Sequence, residues 1–145
     1  MPIISKTLHI STEDDIWFYN LTPDLQTLIT ASAIQNGQIL IFSRHTTTAV
    51  AVNEWEERLL EDLKKHLRRL APPSEKYLHN DLHLRIVPPD EPENAHSHLM
   101  ALMLNNSEVI PIVNGKLMLG TYQAALLVEL DGPRQRTVHI QVSGE

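Results

Sequence analysis

The sequence predicts an α+β domain built mainly on antiparallel sheet, and three observations carry that expectation. Short β-branched and aliphatic runs outnumber helical patterns, close neighbours are joined by brief turn signals, and only two or three stretches show apolar residues at three- and four-residue spacing. The 145 residues are one domain's worth of chain, so residues 1–145 are expected to share a single core.

Taken in order, "IISKTLHI" alternates apolar and polar side chains and reads as the first strand. Ile16 to Leu21 is aromatic but short. Thr22 and Pro23 then supply a helix N-cap with proline at the first helical position, and Leu25, Leu28, Ile29 and Ala33 share a face. Asn36-Gly37 suits a left-handed stop, which puts the end of this helix near Gln35. "QILIFS" and "TAVAVN" read as two central strands flanking the Arg44–Thr46 link. Asn53 followed by Glu56 has the capping-box spacing, and Leu59, Leu60, Leu63 and Leu67 predict an amphipathic helix to about Leu70.

From Pro72 to Glu93 the chain carries five of its nine prolines and little periodicity, so a long loop with one short strand is expected. "AHSHLMALML" can form a short helix. Val109 to Val113, Asn114-Gly115 and Lys116 to Leu119 predict a hairpin, because Asn-Gly accepts the positive φ angles of a type I′ turn. "YQAALLVEL" and "TVHIQV", joined across Asp131-Gly132-Pro133, predict a second antiparallel pair.

Composition narrows function. A net charge of -6 argues against binding a nucleic-acid backbone, and no apolar run approaches the roughly 20 residues of a membrane helix. With no basic and apolar leader at the start, a cytoplasmic protein is expected. The absence of cysteine removes thiol nucleophiles and zinc-thiolate sites, leaving eight histidines as the conspicuous reactive groups.

Several clusters carry potential chemistry. In an extended "HNDLH", His79, Asp81 and His83 would leave one face of the backbone, where two imidazoles and a carboxylate suit zinc or iron(II); a polar hydrogen-bonded loop is the ordinary alternative. Of His96 and His98, two apart at a helix start, only one should face inward. His9, His66 and His139 stand singly and read as structural or solvated. His45 lies at a strand end, followed by Thr46, Thr47 and Thr48, whereas Glu54 lies past an apolar run and either serves a site or favours the helix dipole. Gly120 in "GTYQ" suggests a bulge, and Arg134 and Arg136 in "DGPRQR" are two donors suited to phosphate or carboxylate.

Together, "HTTTAVAVNE", "HND", "NAHSHL", "VNGKLMLGTYQ", "ELDGPRQR" and the terminal "SGE" resemble the YjbQ-type family over roughly Gln38 to Glu145. The resemblance implies an α+β, mainly antiparallel β-sandwich with two or three helices, assembling as a homotrimer with a polar pocket near the subunit boundary. It also implies a secondary thiamin-phosphate synthase activity, joining hydroxymethylpyrimidine diphosphate to a thiazole phosphate with loss of diphosphate. The family motif falls on His45, Glu54, His79, Asp81 and His98 as catalytic residues, and on Thr46, Asn53, Gly120, Thr121, Gln123, Arg134 and Arg136 as substrate-binding residues. His83 and His96 fall outside the family motif, and Tyr122 stands where tryptophan is common.

Two metals are kept separate: magnesium on a diphosphate, or a zinc-like ion at His45, His79, Asp81 and His98. No organic cofactor is expected, and the partners are a small phosphorylated metabolite and two further copies of the chain, with neither nucleic acid nor membrane. The rival readings are metal-assisted hydrolysis of a phosphorylated metabolite and a non-catalytic metabolite- or metal-binding trimer. One distance sharpens the question. If the chain ran straight from His45 to Glu54, nine steps at about 3.3 Å would hold them near 30 Å apart, too far for one pocket. Either the chain turns at the threonines or a neighbouring subunit completes the site.

Overall fold

The computed structural model describes residues 1–145. Eight strands and three helices follow in the order β1 (Ile3–Ser11), β2 (Trp17–Asn20), α1 (Thr22–Ser32), β3 (Gly37–Ser43), β4 (Thr48–Glu54), α2 (Glu57–Leu70), α3 (Ala95–Met103), β5 (Ser107–Val113), β6 (Lys116–Leu117), β7 (Gln123–Glu129) and β8 (Gln135–Gly144). Five strands form one sheet in the order β1-β8-β3-β5-β6 and three form another in the order β2-β7-β4, with every pairing antiparallel. This is the expected α+β antiparallel sandwich. No helix is long and apolar enough to cross a membrane.

The two sheets enclose one core. β8 alternates almost perfectly, burying Arg136, Val138, Ile140, Val142 and Gly144, and its apolar members meet Ile39 and Ile41 of β3, Val50 of β4 and Leu127 of β7. Leu21, Leu25 and Ile29 place α1 in the same core. A second apolar layer lies on the other face of the three-stranded sheet, where Phe18, Ala49 and Val128 meet Leu67 of α2 and Met100 of α3. β7 is thus covered on both faces, which is why "AALLVEL" is nearly continuous in apolar residues.

Several local expectations are corrected. β4 is an edge strand, and β7 and β8 do not form a hairpin, because the Asp131–Arg134 link carries the chain from one sheet to the other. Thr22 does not cap α1: its hydroxyl accepts from the Ala125 amide at 2.9 Å, and the helix ends at Ala33, whose φ is 60°. The cap of α2 moves to Glu56, whose carboxylate accepts from Leu59 N at 2.5 Å, while Asn53 Oδ1 takes the Glu54 amide. The proline-rich segment holds no strand but two single 3₁₀ turns, Leu78–Asn80 and Leu82–Leu84. The Asn114-Gly115 hairpin forms as expected, with φ angles of 52° and 72°.

Candidate functional site

His45 stands where β3 has ended and β4 has not begun. The last β3–β8 pair joins Ser43 to Val138, so the amide of Thr137 runs beyond the ladder; it donates to His45 Nε2 at 3.0 Å instead. A nitrogen that accepts an N–H must be unprotonated, which puts the ring proton on Nδ1. Burial, with help from the nearby Arg136 guanidinium, holds the His45 pKa below its ordinary value of 6.5. Beneath this turn the Ser43 and Thr48 hydroxyls share a short hydrogen bond, and Ser43 N donates to Asn106 O at 2.8 Å.

Another part of the lining around His45 comes from α3, which is fixed in three ways. Asn80 Oδ1 accepts from Ala95 N at 3.1 Å, Asn94 Nδ2 donates to Asp131 at 2.6 Å, and the fully buried Ser97 donates to Leu130 O at 2.6 Å. These bonds aim His98 into a cleft of about 620 Å³ shared with His45, Thr46, Thr48, Asn105 and Asn106. Burial and the adjacent His79 imidazole lower the His98 pKa. The His79 and His98 rings meet edge to face, with centroids 4.7 Å apart and planes at 77°. His79 Nε2 is buried and has no hydrogen-bond partner. Arg85 holds the turn that carries His79 by donating to its carbonyl at 2.7 Å.

The other expected site residues lie elsewhere. Asn53, Glu54 and Gln123 occupy the far end of the three-stranded sheet, where Glu54 pairs with Gln123 across β4 and β7. Gly120 and Thr121 join them, with Gly120 N donating to Gln123 Oε1 at 2.8 Å. Six strand steps separate Thr48 from Glu54, about 20 Å, so within one chain Glu54 does not reach the histidine cleft. The extended HxDxH geometry is absent: His79 and His83 sit on successive 3₁₀ turns with Asp81 between them, and His83 is exposed. No three histidine, aspartate or glutamate side chains converge on one point, so within a single chain His45, His79, Asp81 and His98 do not form a metal-binding set.

Arg136 is corrected outright. Its guanidinium is buried between the two sheets, donating to Glu129 at 2.8 and 2.6 Å and to the Thr47 hydroxyl at 2.8 Å. Glu129 is fully buried and also accepts from Thr12 and from the amides of Leu130 and Asp131. Nε and Nη2 are thus committed to partners within the chain, a bidentate pair with Glu129 and a contact to Thr47, which gives Arg136 a structural role between the sheets. Arg134 is half exposed and paired with Asp131 at 3.0 Å.

A family model described as "UPF0047 protein YjbQ-like" matches residues 6–145. The chain belongs to the YjbQ-like UPF0047 family. A UPF0047 protein of Methanothermobacter thermautotrophicus is 34% identical over 145 residues, 100% of this chain and 95% of that one. One from Archaeoglobus fulgidus is 41% identical over 107 residues, 74% of this chain and 78% of that one. Among solved structures, a YbjQ-like protein of unknown function from Sulfolobus solfataricus P2 superposes with a TM-score of 0.89 at 34% identity, covering 99% of both chains. A hypothetical protein from Aeropyrum pernix K1 gives 0.88 at 37% identity, covering 98% of this chain and 99% of that one.

Membership in the UPF0047 family overturns the thiamin-phosphate synthase expectation. The relatives are described as UPF0047 proteins, the Sulfolobus structure as one of unknown function, and none indicates that activity. The burial of Arg136 removes half of the expected diphosphate clamp by a separate route. Thr48, Asn105 and Asn106 are cleft residues that sequence reasoning missed. The two asparagines have a visible signal only in hindsight, as a polar pair directly after the apolar α3.

Proposed function

We propose that the chain works as a ring-shaped homotrimer that binds a small polar metabolite between His45 and His98, and that these neutral imidazoles move protons to and from it. The observation carrying this reading is that two histidines from different elements, the β3–β4 link and α3, line one cleft, both with lowered pKa. With Nε2 taken by the Thr137 amide, His45 offers the ligand its Nδ1–H as donor and proton source, and His98 is the imidazole that accepts a proton, a division of roles that acid–base work near neutral pH requires.

The trimer part rests on how the site residues divide. His45, Thr46, His79 and His98 lie at one end of β4, and Asn53, Glu54, Gly120, Thr121 and Gln123 at the other. A cyclic head-to-tail assembly sets unlike surfaces against each other, so the far end of one subunit faces the histidine cleft of the next. Both ends expose large apolar side chains of the kind an interface covers: Leu102 is 82% exposed beside the cleft and Tyr122 is 76% exposed beside Gln123. Glu54 and Gln123 of the partner subunit then close the open side of the cleft.

The test is a thermal-shift screen of phosphorylated and carboxylated metabolites on the full chain, with His45→Ala and His98→Ala beside it. A metabolite that stabilises the native protein, loses its effect in both histidine variants and also in Glu54→Gln supports the reading. A shift that survives in His98→Ala contradicts it.

A further inference from the structure

The space between α2 and the three-stranded sheet is a second cavity, sharing only Leu104 with the lining of the histidine cleft. α2 is strongly amphipathic, yet only Leu67 of its fourteen residues is buried. Leu63, Leu67 and Leu70 form a roof over a cavity of about 300 Å³, whose floor is Ala51, Leu126 and Val128 and whose end wall is Met103. Nine of the eleven lining residues are hydrophobic, and the volume is at the lower end of the roughly 300–1,000 Å³ that small-molecule pockets occupy.

Its two polar lining residues are Asn53 and His66. Asn53 Oδ1 is committed to the Glu54 amide at 2.7 Å, which leaves its Nδ2 as a donor. His66 is flanked on α2 by Lys65 and Arg69, both exposed and outside every ion pair of the chain. Within a chain of net charge -6, this half of α2, "KKHLRR", is a local positive surface.

We propose that this cavity binds a small amphipathic carboxylate, with the apolar tail between α2 and the sheet and the anionic head at Asn53 and His66. The apolar walls offer burial without competing hydrogen bonds, and the basic half of α2 supplies the matching charge. A short chain fits the volume better than a long fatty acid.

The experiment titrates n-octanoate into the isotope-labelled full chain by NMR, with n-octanol as the uncharged comparison. Saturable binding at one octanoate per chain is expected, with shifts confined to α2, β2, β4, β7 and the end of α3. Leu63→Trp fills the space and should weaken binding at least tenfold; should it fail to fold, Ala51→Leu serves the same purpose. Arg69→Gln should weaken octanoate about threefold, the scale of an exposed charge contact, and leave n-octanol unchanged. Shifts that do not saturate, octanol binding as tightly as octanoate, or unchanged affinity in a folded cavity-filling variant would each overturn the proposal.

Discussion

The Arg136–Glu129 pair gives the sharpest stability prediction, because it joins the two sheets through the centre of the sandwich. Arg136 is 6% exposed and Glu129 0%. Replacing Arg136 with Met leaves a buried carboxylate holding only the Thr12 hydroxyl and the amides of Leu130 and Asp131. Removing one member of such a pair costs about 3–5 kcal/mol. For a chain of this size, each kcal/mol lowers the midpoint by about 2–4 °C, so a fall of about 6–20 °C is expected. Urea unfolding at fixed protein concentration measures the loss. In a double-mutant cycle with Glu129→Leu, the double variant should be less damaged than the two single losses added together. It should not return fully to the native value, since two amides and the Thr12 and Thr47 hydroxyls lose their charged partners. If Arg136→Met changes stability by less than about 1 kcal/mol, the scale of an exposed pair, the structural role assigned to Arg136 is wrong. The same variant removes a cation that depresses the His45 pKa, so NMR titration should find that pKa raised.

Other outcomes follow from the cleft. His45 and His98 both titrate below 6.5 in the folded chain, so on acidification the unfolded state takes up protons first. Their contribution to stability is complete above about pH 6.5 and is lost as pH falls through that value; it levels off below the folded pKa values. The drop in stability between pH 7.5 and pH 5.5 should be smaller in His45→Ala and His98→Ala, and an equal drop in all three proteins would refute the assignment. Ser97→Ala removes a fully buried donor to Leu130 O and should cost about 1–2 kcal/mol in urea unfolding. It should also move the His98 resonances, because this bond fixes α3 against the cleft.

Much of the fold was legible because local chemistry and tertiary demand agree. The alternation in β1, the Leu spacing in α2 and the positive-φ pair Asn114-Gly115 each have one satisfactory solution. What escaped depended on pairing across the chain. β7 and β8 look like neighbours joined by a turn, but their link crosses between sheets, and nothing within Asp131–Arg134 distinguishes a hairpin from a crossing. Arg136 illustrates the same limit in the site. Two residues before it, Arg134 is half exposed, and only the position of Glu129 on the facing sheet decides which arginine is buried. His45 and His98 were legible as candidates from their residue type, yet their meeting in one cleft depends on Asn80, Asn94 and Ser97 anchoring α3. Glu54 and Gln123 pair with each other at the far end of the sheet, a separation that a linear motif does not display.

The head-to-tail ring can be tested directly because the chain contains no cysteine. Leu102→Cys and Tyr122→Cys are made as separate single variants and mixed under mild oxidation, then run on a non-reducing gel. Each single variant alone should stay uncrosslinked, the mixture should give a two-chain species, and the double variant should give a covalent trimer. Crosslinking of Leu102→Cys with itself, or none between the two variants, would contradict a site shared between unlike ends of neighbouring subunits.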